Sequence, residues 1–243
     1  MSNRVAFITG ASRGIGRATA LRLCRSGFQI VVASPELENN ESVAAEVRTA
    51  GGTAITLDFN LTSLDSIKQG VAAALKEFGK IDVLVNNAGI TRDGLAVRMK
   101  PEDWQLVLQI NLTGAFQTTQ QVLPGMMRER WGRIVNVASV VGQMGNAGQA
   151  NYAASKSGLD GLARSVAQEY ASRGISACVL AAGLIDVGMG ARLTPQIQAA
   201  KLAKILGGGA KPEEIAGIAT FLASDAARYI NATVVHADGG IDF

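Results

Sequence analysis

The stretch Arg4–Gly27, RVAFITGASRGIGRATALRLCRSG, contains three segments of different character. It begins with a short apolar run typical of a buried strand, passes through the glycine-rich loop Gly10–Gly16, and ends in a segment with helical spacing. The loop has the spacing G-x-x-x-G-x-G rather than the commoner G-x-G-x-x-G. Glycines let the backbone approach a phosphate closely, and a helix N-terminus adds amides and the positive end of a dipole. A strand, a glycine turn and a helix in this order therefore predict a dinucleotide-binding unit.

The same unit repeats along the chain. Six further apolar runs predict strands at 28–33, 53–59, 81–85, 134–138, 175–180 and 233–236. Helical patterns separate most of them, which implies a parallel sheet covered on both faces. No linker or second core interrupts the pattern. We expect an α/β fold, a Rossmann-type doubly wound parallel sheet with helices on both faces, forming one domain over residues 1–243. A helical insertion at about 187–210 follows a late strand, where such insertions often close over ligands.

Composition excludes several classes of function. The chain has 243 residues, and its 23 basic and 20 acidic side chains give a net charge of +3, too small for a nucleic-acid footprint. Two cysteines and one histidine provide neither a disulfide framework nor a zinc site. The N-terminus lacks a basic leader with a long apolar region, and no apolar run reaches membrane-spanning length. These patterns predict a cytoplasmic protein.

The end of the second predicted strand bears on the choice of cofactor. An acidic residue there would bind the ribose hydroxyls of NAD and repel a 2′-phosphate, but Ser34-Pro35 occupies the position. Glu36 and Glu38 follow and are expected on the surface of the turn. Arg13, in the glycine loop, could pair with a 2′-phosphate, although a solvated loop cation is the simpler interpretation. The pattern favours NADPH over NADH.

Polar side chains at later strand ends are further candidates. Asp58 or Asn60 could bond an adenine, or either could cap the helix that starts near Leu64. In the segment Asn86–Gly89, the asparagines either stitch neighbouring strands or line a site, and the small residues allow a flat ligand to approach. Asn111 lies within a long helical pattern, where an asparagine is mildly unfavourable and usually faces solvent or caps another group.

The stretch Ser139–Lys156, SVVGQMGNAGQANYAASK, carries a candidate for catalysis. Tyr152 and Lys156 are four residues apart on a predicted helix and share a face. An ammonium group near a phenol favours phenolate and lowers the tyrosine pKa. Ser139, at the end of the preceding strand, could point at the same place. Together they suggest a proton donor (Tyr152), a residue that lowers its pKa (Lys156) and a residue that binds a carbonyl oxygen (Ser139). The pattern Y-x-x-x-K also occurs by chance on many helices.

The order of these motifs gives a resemblance over essentially the whole chain. With the glycine loop, Asn86–Gly89, Asn111, Ser139 and Y-x-x-x-K in sequence, the chain resembles the short-chain dehydrogenase/reductase family. The segments NNAGITRD, MKPEDW, GRIVNVASVVGQMGNAGQANYAASKSGL and ASRGI are similar to those of 3-oxoacyl-[acyl-carrier-protein] reductases.

The resemblance implies a role for each motif. Tyr152 would be the general acid, and Lys156 would lower its pKa and hold the nicotinamide ribose. Ser139 would hydrogen-bond the substrate carbonyl, and Asn111 would hold a water that links Lys156 to solvent. The cofactor contacts implied in the same way are Gly10, Ser12, Arg13, Gly14 and Ile15 at the phosphates, Asn60 and Leu61 at the adenine, Asn87, Ala88 and Gly89 at the ribose side, and Tyr152, Lys156 and Ile185.

The resemblance also implies partners. Relatives are homotetramers, and Arg130 and Arg173 match the region where such reductases are expected to meet an acyl carrier protein. A solvated helix end is the alternative interpretation of the basic patch. The expected reaction is NADPH-dependent reduction of a carrier-linked 3-oxoacyl thioester to the 3-hydroxyacyl thioester.

The chain departs from the family pattern in one loop. Ala182 stands where a proline is usual, and Val187 stands where a threonine contacts the nicotinamide amide. Two alternatives therefore stay open: a reductase of acetoacetyl-CoA or another small ketone or quinone, and a weakly active cofactor-binding subunit of a mixed oligomer.

Overall fold

The structure, a computed structural model, describes residues 4–185, 202–203, 205–206 and 208–241. The predicted insertion at about 187–210 falls mostly outside these residues. The strands are β1 (Val5–Thr9), β2 (Gln29–Ser34), β3 (Ala54–Asp58), β4 (Val83–Asn86), β5 (Gly132–Ser139), β6 (Ile175–Ala182) and β7 (Val234–Ala237). The α-helices among the described residues are α1 (Gly14–Arg25), α2 (Leu37–Thr49), α3 (Leu64–Phe78), α4 (Pro101–Leu108), α5 (Gly114–Glu129), α6 (Val141–Met144), α7 (Ala150–Tyr170) and α8 (Pro212–Leu222).

The strands form one parallel sheet in the order β3-β2-β1-β4-β5-β6-β7. The chain winds outward from β1 in one direction through β3 and then in the other direction from β4 through β7. This order confirms the predicted Rossmann-type doubly wound sheet. Its switch point lies between β1 and β4, and in open α/β sheets ligands bind at the carboxyl ends of the strands at such a point.

Alternation along β1 shows how the sheet acquires two cores. Ala6 and Ile8 point into a cluster with α1, α2 and α8, whereas Val5 and Phe7 point into a cluster with α3, α5 and α7. Successive strand residues face opposite sides, so a strand that is covered on both faces must be apolar throughout. Helices therefore cover both faces, as predicted.

Helix boundaries differ from the predicted pattern in two places. The long helical stretch after Pro101 is divided into α4 and α5 by a π-helical turn at Gln109–Thr113. The glycine-containing loop after β5 includes the short helix α6. Both features depend on contacts distant in sequence, which periodicity does not encode.

The described residues also bear on the predicted exclusions. No helix among them is long and apolar enough to cross a membrane. They contain no group of three potential metal ligands. Cys24 and Cys178 are buried and not bonded to each other.

Candidate active site

Polar contacts join the carboxyl ends of β1 and β4 at the switch point. The Thr9 hydroxyl accepts hydrogen bonds from the backbone amides of Asn87 and Ala88, each at 3.1 Å. The Asn87 Nδ2 donates to the carbonyl oxygens of Thr9 and Gly10, each at 3.0 Å. Asn87 thus stitches two strands together and at the same time forms the floor of the crevice between them. Asn86 joins β4 to β5 through Asn136, with 2.9 Å between Nδ2 and Oδ1.

The glycine loop is shaped to bring backbone close to a ligand. Gly10 and Gly14 have φ angles of +63° and +54°, in the left-handed region that favours glycine. A Cβ on Gly16 would lie 2.2 Å from the Gly10 carbonyl oxygen, so only glycine allows the loop to pack on α1 here. The first turn of α1 has no acidic residue and no side-chain cap. Its amides therefore stay available for an anion such as a cofactor phosphate.

The predicted adenine contacts lie beyond β3. The Asn60 Oδ1 accepts hydrogen bonds from the amide and hydroxyl of Thr62, at 2.9 and 2.8 Å. Leu61 is buried beneath Gly114 in the core, where its carbonyl oxygen accepts a bond from Gln109. Ser63 caps α3. Neither Asp58 nor Asn60 therefore serves as that cap.

Glu36 makes contacts that the sequence did not indicate. Its carboxylate accepts a 2.6 Å hydrogen bond from the Ser12 hydroxyl and pairs with the Arg13 guanidinium at 2.8 Å. Glu36 does lie on the turn after β2, with its side chain 35% exposed, but this turn folds back so that the carboxylate contacts the glycine loop. Arg13 is paired with Glu36 but its side chain stays 68% exposed, so both interpretations of Arg13 stay open.

The candidate catalytic side chains converge at the carboxyl end of β5. Ser139 ends this strand, and its hydroxyl lies close enough to the Tyr152 phenol to act on the pKa of that phenol. One turn further along α7, the Lys156 Nζ donates to the Val137 carbonyl oxygen at 2.8 Å and lies 5.7 Å from the centre of the Tyr152 ring. Tyr152 and Lys156 are both buried. The structure thus brings the Ser139 hydroxyl, the Tyr152 phenol and the Lys156 amine together at the carboxyl edge of the sheet.

Asn111 joins the same group from the π-helical turn. Its Oδ1 accepts from the Ile90 amide at 2.9 Å, and its Nδ2 donates to the Ile90 carbonyl oxygen at 3.0 Å and to Ser155 at 3.1 Å. A buried asparagine in a helix interior is costly unless its amide is satisfied, and these three bonds satisfy it. Isolated π-turns within helices are frequent at functional sites.

Burial dominates the titration of Tyr152 and Lys156. It raises the pKa of Tyr152 to about 12, an effect that the hydrogen bond with Ser139 opposes. It lowers the pKa of Lys156 to about 8. The predicted lowering of the Tyr152 pKa is therefore not seen, because the effect of burial outweighs that of Ser139. A tyrosine with a raised pKa stays protonated at neutral pH, which is the state that a general acid needs.

A sequence profile described as short chain dehydrogenase matches residues 4–198. The chain is 45% identical over 245 residues to a 3-oxoacyl-[acyl-carrier-protein] reductase of Synechocystis, covering 99% of this chain and 98% of that protein. It is 44% identical to the corresponding Thermotoga maritima reductase, again covering 99% and 98% of the two chains. It belongs to the short-chain dehydrogenase family. The chain is thus an oxidoreductase of a family that depends on NAD or NADP.

The sequence analysis of this short-chain dehydrogenase missed one neighbour of Tyr152, the candidate general acid. Asn151 is fully buried, and its Oδ1 accepts from the Tyr152 amide at 2.7 Å. Its Nδ2 donates to the Arg92 carbonyl oxygen at 2.9 Å. The loop before α4 is thereby tied to the first turn of α7. A polar residue directly before the tyrosine was the only available signal in the sequence.

The other predicted site residues of this short-chain dehydrogenase lie on different edges. Ile185 is buried just beyond β6 and forms a parallel bridge with Ala210. Ala182 is the last residue of β6, and Val187 lies outside the described residues. Arg130 and Arg173 precede β5 and β6, and the Arg130 guanidinium donates to the Ser172 carbonyl oxygen at 3.1 Å. Both arginines therefore lie at the amino edge of the sheet, opposite the Tyr152 site.

Proposed function

We propose that this short-chain dehydrogenase reduces a 3-oxoacyl thioester carried on an acyl carrier protein to the 3-hydroxyacyl thioester. The observation that carries the proposal is the convergence of three side chains at the carboxyl end of β5, where Ser139 ends the strand and Tyr152 and Lys156 are buried one turn apart on α7. A hydroxyl and a neutral phenol that meet there can hold and protonate one carbonyl oxygen. The near full-length similarity to reductases of that name supplies the substrate class.

The residues present suit a nicotinamide dinucleotide. Gly89 leaves an open face beside the catalytic group, since a Cβ there would lie 3.3 Å from the Lys156 Nζ and 3.4 Å from the Asn111 Oδ1. The glycine loop and the uncapped start of α1 offer amides for its phosphates. The contacts proposed for it are Gly10, Ser12, Arg13, Gly14, Ile15, Asn60, Leu61, Asn87, Ala88, Gly89, Tyr152, Lys156 and Ile185. When bound, the dinucleotide supplies the hydride.

The protein's own part in the reaction is positioning and proton delivery. Ser139 donates a hydrogen bond to the substrate carbonyl oxygen. Tyr152 gives its phenolic proton to that oxygen as the hydride reaches the carbonyl carbon, so a ketone becomes a secondary alcohol. Lys156 lies one helical turn away, where an ammonium group stabilises the phenolate that remains. Asn111 fixes the Ile90 backbone through two hydrogen bonds. We assign the proton route from solvent to a water and Lys156, and Ile90 lies at its entrance.

NADPH stays the predicted hydride donor, with NADH as the alternative. The support is Arg13 in the glycine loop and the absence of an acidic residue at Ser34, where β2 ends. We also retain a cytoplasmic location, a single domain and a homotetramer as predictions.

The proposed carrier contact at Arg130 and Arg173 has a geometric consequence. These arginines lie at the amino edge of the sheet, whereas Tyr152 serves the carboxyl edge of the same chain. A carrier that is bound at the arginines would therefore deliver its acyl group to the active site of another copy. A homotetramer provides such a copy.

The test is the rate of dinucleotide oxidation with matched acetoacetyl thioesters of acyl carrier protein and of coenzyme A. We expect a higher kcat/KM for the carrier-linked substrate, and we expect Arg130→Ala together with Arg173→Ala to remove that advantage. An equal or reversed preference contradicts the carrier-linked assignment and supports the acetoacetyl-CoA alternative. Binding of the dinucleotide without oxidation by any 3-oxoacyl substrate supports the role of a cofactor-binding subunit.

A further inference from the structure

The Glu36 carboxylate occupies the part of the glycine loop that a cofactor phosphate would need. One carboxylate oxygen accepts from the Ser12 hydroxyl at 2.6 Å, and the other lies 2.8 Å from the Arg13 guanidinium. Asn39 adds a side-chain hydrogen bond. Ser12 and Arg13 are the two side chains of the loop that were expected to hold cofactor phosphates. In this structure the Glu36 carboxylate already binds both of these side chains.

A buried polar network fixes this arrangement. The Glu36 amide donates to the Ser34 hydroxyl at 3.2 Å, and that hydroxyl donates to the Asn40 Oδ1 at 2.7 Å. Asn40 is completely buried, and its Nδ2 donates to the carbonyl oxygens of Ser34 and Leu57. The turn that carries Glu36 is thereby tied to both β2 and β3. This network fixes the backbone of the turn, and the Glu36 side chain, 35% exposed, is held by its contacts with Ser12 and Arg13.

The carboxylate is ionised at neutral pH. The hydrogen bond from Ser12 is the largest cause that holds the pKa of Glu36 below its ordinary value, and the charge of Arg13 acts in the same direction. Arg17, the next cation on α1, is paired with Glu46 and does not offset this negative charge. A 2′-phosphate would have to take Ser12 and Arg13 from Glu36 and then lie beside its charge.

The ribose 2′-hydroxyl of NADH would interact favourably with the Glu36 carboxylate. It carries a proton that it can donate to a carboxylate, and hydrogen bonds with a charged partner are the stronger kind. In dinucleotide-binding folds an acidic residue about 20 positions beyond the glycine motif performs this recognition. Glu36 lies at such a distance from Gly16, although it follows the strand end rather than occupying it.

We propose that Glu36 is a specificity-determining residue for the cofactor. Its carboxylate competes with the 2′-phosphate of NADPH for Ser12 and Arg13, and it accepts a hydrogen bond from the ribose hydroxyl of NADH. Glu36 thereby lowers the affinity for NADPH relative to NADH, compared with the ratio that Arg13 would give alone. The inference rests on the proposed use of a nicotinamide dinucleotide and does not depend on the acyl substrate.

The experiment is calorimetric titration of the full chain with NADPH and with NADH, without acyl substrate. Glu36→Gln keeps the size of the side chain and removes its charge, and Glu36→Ser is a second variant in case the first folds poorly. Glu38→Gln is the matched control, because Glu38 is exposed two residues further along the same turn. Thermal melting of each variant confirms that it is folded.

The expected result is a shift in the ratio of the two Kd values. Glu36→Gln should favour NADPH relative to NADH by about tenfold, since placing like charges side by side is strongly unfavourable at an interface. The control should keep the parent ratio within about twofold. An unchanged ratio in both Glu36 variants would overturn the inference. A protein that binds both dinucleotides but reduces no 3-oxoacyl thioester would refute the proposed function while leaving this ratio measurable.

Discussion

Lys156 carries an amine into the protein interior with the Val137 carbonyl oxygen as its hydrogen-bond partner. One neutral acceptor does not replace the water that an ammonium group loses on burial. Burial accordingly lowers the pKa of Lys156, whereas it raises the pKa of the neighbouring Tyr152. Both shifts favour the uncharged forms, so the amine and the phenol do not form a fixed ion pair and the phenol keeps the proton that it is to donate.

The shift of Lys156 predicts a rise in stability with pH. Its folded pKa of about 8 lies below the ordinary value of 10.5, so between these values the unfolded chain holds a proton that the folded chain has released. Stability therefore increases as pH rises through this window. We expect the unfolding free energy of the parent to rise relative to Lys156→Met by about 2 kcal/mol between about pH 7.5 and 9.5, at about 1.4 kcal/mol per pKa unit.

Urea unfolding of both proteins at several pH values measures this difference. The raised pKa of Tyr152 acts above pH 10 in the opposite direction, because there the folded chain retains a proton that the unfolded chain loses. Burial also raises the pKa of the Cys24 and Cys178 thiols, which opposes the rise in the same alkaline range, so the difference between the parent and Lys156→Met isolates Lys156. Parallel stability curves for the parent and Lys156→Met would show that burial does not perturb the amine.

Arg13 provides a second prediction at the scale of one residue. Arg13→Ala should weaken NADPH about fivefold more than NADH, because an exposed ion pair contributes at most about 1 kcal/mol. Its side chain is 68% exposed, which limits the effect. Arg25→Ala, in the last turn of the same helix, should weaken both cofactors equally or not at all. Equal losses for NADPH and NADH on replacing Arg13 would show that it does not contact the 2′-phosphate.

Among the elements, the junction of β1 and α1 depends on one close approach. A Cβ on Gly16 would lie 2.2 Å from the Gly10 carbonyl oxygen and 2.6 Å from the Asn87 Nδ2. Gly16→Ala should therefore destabilise the protein by about 1–3 kcal/mol, as overpacking of a tight contact does. Gly161 is the matched control, since it lies on an exposed face of α7 and a Cβ there would meet no atom within 4 Å.

Gly161→Ala should stabilise the protein by up to about 1 kcal/mol, through the higher helix propensity of alanine. Thermal and urea unfolding of the two variants give the comparison. A Gly16→Ala protein as stable as the parent would contradict the tight junction that the structure shows.

The elements also show what sequence patterns could and could not predict. Runs of apolar residues predicted the seven strands well, because burial on both faces makes each parallel strand apolar throughout. The π-helical turn at Asn111 was not predicted, since it accompanies bonds to Ile90, 21 residues away. The contact of Glu36 with Ser12 was missed for the same reason. It depends on how the turn after β2 lies on the glycine loop, which composition and period do not specify.

The homotetramer stays a prediction for the whole molecule. Trp104 on α4 and Phe116 on α5 are large apolar side chains that remain 38% and 47% exposed. Light scattering after gel filtration should give the mass of four chains of 25.2 kDa each. A monomeric mass at micromolar concentration would contradict both the tetramer and the delivery of substrate from Arg130 and Arg173 to another copy.

The central claim is that Tyr152 protonates the oxygen of a 3-oxoacyl thioester as the hydride arrives. The most direct measurement is the rate of NADPH oxidation with acetoacetyl-[acyl carrier protein] for the parent and for Tyr152→Phe, with NADPH affinity titrated in parallel. We expect kcat to fall about 10²–10⁴-fold, which is the typical contribution of a positioned general acid to the rate. We expect little change in NADPH affinity. Turnover by Tyr152→Phe above about a tenth of the parent rate would contradict it.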